Sequence, residues 1–331
     1  MENKEFKNRV YGAVILKSIN SNFNADFTHH PRTLPDGVVY STDKALKYTI
    51  KDYFRKINNK QKLFYIKRFN NNLNPLTLDE TYVELFGDFP ENKNTKDDKE
   101  EIMKKEVLRN LLTCLDVRLF GATFAGKTNI SLHGPVQINH GINKFPENDI
   151  YTEDILSPFR NPGKEGANEK GMSTIGNQTN LKEGYYVFHF SINPKNTEEF
   201  YEMLNTKKND NEKMFLSDND IKLFKNALNK SVTVLDSSRK IGTENEATIW
   251  IKLIENSIKI IPSLTELIAV EKKNNKIQID VEDVYKIIKS LKEDIEVVEI
   301  FYNPITTKII GLSNCNRIKL KNIITDEEIT S

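Results

Sequence analysis

Runs of apolar residues and two distinct spacings of apolar against polar positions divide the chain into strands and helices. Residues 10–17, VYGAVILK, are a short continuous apolar run behind a charged flank and predict a buried strand. The polar stretch SINSNFNADFTHHPRTLPDG follows with no period of its own, which marks a functional or unstructured loop. Ser41 and Thr42 then offer an N-cap, and Asp43 suits the positive end of a helix. Leu46, Ile50, Tyr53, Phe54 and Ile57 lay an apolar stripe along that helix, over 42–56.

Residues 61–67 read as another strand, 70–98 as a polar insertion, and about 99–115 as a second amphipathic helix built on Val107, Leu108, Leu111, Leu112 and Leu115. In 129–139, NISLHGPVQIN, Ile130, Leu132, Val136 and Ile138 share one face of a half-buried strand, which Pro135 places at an edge or a bulge. Tyr186, Phe188, Phe190 and Ile192 predict a further strand. Ser217 caps a helix to about 230, residues 247–255 form a strand and 281–292 a helix. Mixed strands and helices in this order, without an internal repeat, indicate an α+β fold.

Between the strands, nine of the fourteen glycines fall within 121–184, so the segment SPFRNPGKEGANEKGMSTIGNQTNLKEG is a flexible excursion from a packed core. No apolar run approaches the ~18 residues that span a bilayer. The start, MENKEFKNRV, lacks the apolar stretch of a signal peptide and predicts a cytoplasmic protein. Cys114 and Cys315 support neither a disulfide framework nor a zinc site. Net charge is only +1, yet residues 1–70 carry fourteen Lys/Arg against six Asp/Glu, and 75–106 carry five against ten. Such an asymmetry permits local nucleic-acid binding, although scattered lysines on solvated faces would give the same composition.

Residues 121–128, GATFAGKT, satisfy the phosphate-loop pattern G-x-x-x-x-G-K-[ST] at every fixed position. A true phosphate loop leaves a strand and opens a helix. Here a helix precedes Gly121 and a strand follows Thr128, so the match is accidental and a nucleoside triphosphatase is disfavoured. Gly121, Gly126, Lys127 and Thr128 still suit close backbone approach to phosphate, or a tight helix-to-strand connection. Lys44, Lys47, Lys51 and Arg55, at i, i+3, i+7 and i+11, form a cationic stripe apart from the apolar face of their helix. A nucleic-acid backbone is a natural counterpart to four aligned cations; a solvated lysine face is the rival reading. His29-His30 have no paired catalytic partner at useful spacing, Asp26 reads as a loop aspartate, and Trp250 reads as core. The aromatic RNP1 pattern of standard RNA-recognition domains is absent.

Several stretches together resemble one family. DVRLFGATF at 116–124 with GPVQI at 134–138 is similar to the central signature of the Cascade backbone subunit, the seventh family of CRISPR-associated proteins, in its type I-B form. PRT at 31–33, TDKALKYTIKDYF at 42–54, GYYVFHFSINP and SDNDIKLFKNAL at 217–228 extend the resemblance over residues 8–230. It implies a single RNA-recognition-like (ferredoxin-like) palm over 1–331, with insertions at 68–105 (part of the finger) and 157–183 (the thumb). It also implies copies assembled as a filament along a guide RNA that pairs with target DNA, beside other Cascade subunits and a recruited helicase-nuclease. No catalysis, metal or cofactor is implied. The RNA contacts it implies are Arg32, Lys44, Lys47, Lys51, Arg118, Gly121, Gly126, Lys127, Thr128, Arg160, Lys164 and Met172, the last as a wedge between bases. The sequence departs from the family in the loop after the first strand, where SNFNAD at 21–26 stands in place of a Gly-Asn-Pro-Asn-Gly-Asp-like run. Asp26 keeps the acidic position, and a related type III subunit that cleaves target RNA with metal at Asp26 is the enzymatic alternative.

Overall fold

The first strand is apolar in both phases because both of its faces are covered. In β1 (Val10–Ser21), Val10, Val14 and Leu16 belong to one core, and Tyr11, Ala13 and Ile15 to another. This is a computed structural model, and it describes residues 4–57, 61–90, 96–160, 172–204, 214–313 and 317–329. The chain continues through β2 (Tyr40–Ser41), α1 (Asp43–Ile57), α2 (Leu78–Phe86), α3 (Lys96–Leu112) and α4 (Leu115–Phe120). The hairpin β3 (Gly121–Ala125) and β4 (Asn129–His133), the short strands β5 (Val136–Ile138) and β6 (Gly141–Asn143), and the long β7 (Ile150–Arg160) and β8 (Met172–Ile192) come next. After α5 (Glu198–Met203), α6 (Asp218–Lys230) and β9 (Thr243–Leu253) lie β10 (Ala269–Lys273), β11 (Lys276–Asp280) and α7 (Glu282–Ser290). The last strands are β12 (Ile295–Tyr302), β13 (Thr307–Ile310) and β14 (Ile318–Asn322).

The main sheet runs β14-β12-β9-β1-β8-β6-β2, with β5 and β7 also paired to β8. β1 is antiparallel to both neighbours, with Val14 opposite Phe188 on one side and Thr248 on the other. The connection β8-α6-β9 therefore steps over β1, and the path from β1 through α1 to β6 steps over β8. These are split β-α-β crossings. Leu46, Ile50 and Phe54 of α1 and Ile221, Phe224 and Leu228 of α6 pack with Phe188, Phe190 and Trp250 on one sheet face. The opposite face, with Val187, Ile249 and Ile251, is covered by β10, β11 and α7 through Val270, Ile277, Ile279, Val284 and Ile288. A third core joins α2, α3 and the β3–β4 hairpin through Tyr82, Leu108, Leu111, Phe124 and Leu132. Among the described residues, no helix is long and apolar enough to cross a membrane.

Four sequence expectations change. Residues 61–67 form no strand, because the Phe64 and Tyr65 N–H groups donate to the buried Asp116 carboxylate at 2.8 and 2.7 Å instead of to a neighbouring strand. Within the polar insertion, Thr77 and Glu80 form a capping box that starts α2. Residues 121–125 are themselves a strand, so the phosphate-loop pattern occupies a β-hairpin and not a helix-to-strand connection. The predicted strand over 129–139 breaks at Gly134-Pro135. Ile130 and Leu132 enter the third core, whereas Val136 and Ile138 enter the first. The elements expected at 10–17, 42–56, 99–115, 186–192, 217–230, 247–255 and 281–292 are present with shifted ends; Ile57 is exposed and Trp250 is buried as core.

Candidate nucleic-acid interface

The loop after β1 closes on itself and grips the start of α1. Asp26 N–H donates to the His30 carbonyl at 2.8 Å, and Ala25 bridges Pro31. The Asp26 Oδ1 atom accepts from Thr28 N–H and Oγ1, both at 2.8 Å, and from His30 N–H at 3.0 Å. The Thr28 hydroxyl bond leads these contacts in holding the Asp26 carboxyl below the usual carboxylate range. Asp26 is thus the organiser of a small hairpin. Asn24 Oδ1 accepts from both N–H and Oγ1 of Thr42 at 2.9 Å, fixing the loop to the N-terminus of α1. Asn22 Nδ2 donates to the carbonyls of His29 and of Thr179 in β8, both at 3.1 Å. Loop, helix start and the β7–β8 ribbon are therefore one unit.

Sequence reasoning passed over the loop's root, where Lys240 Nζ donates to the Phe23 carbonyl at 2.6 Å and lies 4.7 Å from its ring centroid. Burial pulls this ammonium down to about 8. The paired asparagines in SNFNAD were the available signal for these ties, since Asn side chains lock loops to backbone.

The cationic stripe of α1 is real in register but is largely neutralised by the protein itself. Lys44, with 83% of its side chain exposed, sits 3.3 Å from Asp43. Lys47 reaches Asp43 at 3.2 Å and lies 5.4 Å from the Phe120 ring centroid. Burial pushes the Asp43 carboxyl up, and Lys47 and Lys44 more than offset it, leaving it below its ordinary value. Burial pulls the Lys51 ammonium down, against the attraction of Asp116. Arg55 bonds Asp52 at 2.5 Å. The four cations need no external anion to coexist; Lys44 and Arg55, at the two ends of the stripe, are its exposed members, whereas Lys47 and Lys51 between them are largely covered. Arg32 lies toward the Lys44 end: its N–H donates to the carbonyl of Asn24, whose side chain holds Thr42. Its own carbonyl accepts from the N–H of Tyr40, the first residue of β2, and its buried Nε has no hydrogen-bond partner.

Other expected contacts lie elsewhere. Arg118 is 1% exposed and belongs to the scaffold: Nε and Nη2 form a bidentate pair with Asp220 at 2.9 and 3.0 Å, and Nη1 donates to the carbonyls of Leu112 and Thr113. Gly121 ends α4, with its N–H on the Val117 carbonyl, at φ 83° and ψ −167°. That conformation is essentially confined to glycine. Gly126, Lys127 and Thr128 sit at the far end of the hairpin, roughly 17 Å along the strand. There the Gly126 N–H donates to the Thr128 carbonyl and the Lys127 N–H to Asp79 Oδ1, while Lys127 Nζ lies 4.9 Å from the Phe89 ring centroid. The amides that would cradle a phosphate already serve internal acceptors, and the Thr128 hydroxyl is buried without a partner. Lys164 and the side chains of Arg160 and Met172 lie outside the described residues, although the backbones of Arg160 and Met172 pair at the end of the ribbon. Among the described residues, no three His, Cys, Asp or Glu side chains converge as metal ligands would.

Comparison with curated proteins finds no match. Two solved chains resemble the fold. One, from a "CRISPR RNA-guided surveillance complex, pre-nicking", is 12% identical with a TM-score of 0.54, covering 96% of this chain and 97% of its own. Another, from a "CRISPR RNA-guided surveillance complex", is 10% identical with a TM-score of 0.48, covering 92% and 95%. The model of the family described as "CRISPR-associated protein Cas7" matches residues 8–289. That span takes in the main sheet's central strands, α1 and the β7–β8 ribbon, and the chain belongs to the Cas7 family.

Proposed function

We propose that this protein is the guide-RNA-binding backbone subunit of a type I-B Cascade surveillance complex. In this reading β1, β8, β9, α1 and α6 are an RNA-recognition-like palm, the β7–β8 ribbon is the thumb, and the third core belongs to the finger. Copies line a guide RNA as a filament in the cytoplasm, and the guide's bases pair with target DNA. Other Cascade subunits complete the complex, and a helicase-nuclease is recruited for degradation. The subunit itself carries no catalysis. Holding only backbone leaves base edges free, so recognition is delegated to pairing.

The observation that carries the reading is the meeting of three parts in a Cas7 chain: the start of α1 with its exposed Lys44, the loop that holds Arg32, and the root of the ribbon at Thr179. Asp26 supports the non-catalytic form of the proposal, since its Oδ1 is occupied by Thr28 and His30.

The test is affinity for single-stranded RNA at several salt concentrations, comparing wild type with Lys44→Ala and Lys47→Ala. Removing one lysine–phosphate pairing should reduce the magnitude of the salt slope by about 0.7. Alanine is preferred to a charge reversal at Lys47, because a carboxylate there would repel Asp43 within the helix. Lys286→Ala is the control, an exposed lysine of α7 paired with Glu282 and Asp283. Equal slopes for all four proteins would place the RNA surface elsewhere.

A further inference from the structure

The loop after β1 holds two phenylalanines in opposite situations. Phe23 is fully buried, edge-on to Phe188 with centroids 6.5 Å apart, beneath the Lys240 ammonium. Phe27, four residues on, is 97% exposed, the most exposed large apolar side chain among the described residues. It gains almost nothing from folding, since its ring stays in water. The backbone beneath it is nevertheless tightly determined by the bonds of Asp26 to Thr28 and His30 and by the Ala25–Pro31 bridge. The hairpin therefore fixes the position of an aromatic ring that contributes nothing to the core.

Its surroundings indicate the class of partner. Asn24 fastens the hairpin to the start of α1 beside Lys44, and Asn22 fastens it to Thr179 of the ribbon. Thr28, His29 and His30 beside Phe27 are exposed and polar, so along the hairpin the ring is flanked by polar groups and not by the apolar residues of a protein-docking patch. Residues 22–32 carry Arg32 and two histidines against one carboxylate. An isolated ring displayed among cationic and imidazole groups matches the way single-stranded nucleic acid is held, with backbone on cations and a base on an aromatic face.

We propose that Phe27 is a stacking platform for one unpaired nucleobase, placed where an RNA strand passes from the N-terminus of α1 to the root of the β7–β8 ribbon. The proposal rests on the RNA-binding reading above and adds a base-facing contact to a surface otherwise made of phosphate-facing ones. Stacking accepts any base, so it leaves sequence choice to the guide.

The experiment uses the full chain, a mixed-sequence single-stranded oligoribonucleotide, and an abasic oligonucleotide of equal length and charge. Phe27→Leu keeps an exposed apolar side chain but removes the ring's face. It should bind the normal oligonucleotide about tenfold more weakly than wild type and the abasic one equally well. The salt slope should not change, because no cation is removed. Phe27→Trp should bind as wild type does, and its emission should be quenched by the normal oligonucleotide alone. The native Trp250 is buried and supplies an unresponsive background.

Equally weakened binding of both oligonucleotides, or of neither, would overturn the proposal while leaving the phosphate-binding reading intact. Emission of Trp at position 27 that responds to protein concentration and not to RNA would assign the ring to a protein contact and overturn it equally. Wild type that binds neither oligonucleotide would overturn the RNA-binding reading together with this proposal.

Discussion

Replacing Arg118 by methionine separates scaffold from RNA contact at the residue where the family resemblance and the structure disagree. The guanidinium holds α6 through Asp220 and the C-terminal end of α3 through the Leu112 and Thr113 carbonyls. Asp220 also accepts from the Ser217 N–H in the capping box of α6, so the pair closes the join between three helices. Methionine fills much of the volume but strands a buried carboxylate and removes a donor from two carbonyls. Breaking a buried ion pair in this way costs about 3–5 kcal/mol. With an unfolding entropy of roughly 2.1 cal/mol/K per residue, 331 residues give about 0.7 kcal/mol/K, so a destabilisation of about 4 kcal/mol lowers Tm by about 6 °C. The assay is thermal unfolding of wild type, Arg118→Met, Asp220→Asn and the double variant. The double variant should recover about 2 kcal/mol relative to the sum of the singles, because neither position then holds an unmatched charge. RNA affinity of Arg118→Met, measured well below its Tm, should equal that of wild type. An unfolding temperature within about 1 °C of wild type together with abolished RNA binding would refute the assignment of Arg118 to the scaffold.

Three further outcomes follow from the site. Lys240 titrates near 8 when folded against 10.5 when free, so the unfolded chain binds the extra proton between these values and stability rises with pH there. Urea denaturation of wild type should gain about 2–3 kcal/mol from pH 8 to 10 relative to Lys240→Met, a window that stops where the tyrosines of the unfolded chain begin to ionise. Gly121→Ala and Gly87→Ala force the same strained dihedrals, φ 83° and ψ −167°, but a Cβ on Gly121 would meet the Leu132 carbonyl at 2.0 Å whereas Gly87 faces open space. Both should destabilise by about 1–3 kcal/mol from strain, and Gly121→Ala measurably more. Asp26→Ala should loosen the hairpin, seen as faster amide exchange at Thr28 and His30; abolished metal-dependent cleavage of a bound RNA would instead establish the catalytic alternative.

What could be read in advance depended on whether a residue's partner was local. The stripe Leu46, Ile50, Tyr53 and Phe54 needs only helical spacing to show which face is buried, and Ser217 announces α6 by its own chemistry. The capping box of Thr77 and Glu80 is equally local, and a polar composition around it hides the signal. The partners of the α1 cations are another matter: that Lys51 faces Asp116 depends on the fold bringing residues 65 apart together. Arg118 shows the same limit, since a basic residue in a signature stretch looks the same whether its counter-charge is RNA or an aspartate 102 residues away. The alternation in 129–139 is present but belongs to two cores, and Gly134-Pro135 is the local mark of the division. The C-terminal strands β10, β11, β13 and β14 are hard to read because their apolar phases are short and broken by lysine, whereas β12, IEVVEIFY, carries a legible apolar run that sequence reasoning passed over.

The shared wall formed by β1, β8 and β9 governs how this chain can be divided. Tyr11, Ala13, Ile15, Val187, Ile249 and Ile251 form one face of that wall, and the layer of β10, β11 and α7 that covers it is encoded after residue 253. A ribosome that has released the protein only as far as β9 has therefore delivered a sheet with one bare, oily side, which must wait for the remainder to arrive. Fragments cut near residue 253 will not behave as independent pieces, and a split-protein design would need to bring the missing layer back in trans before either half becomes soluble.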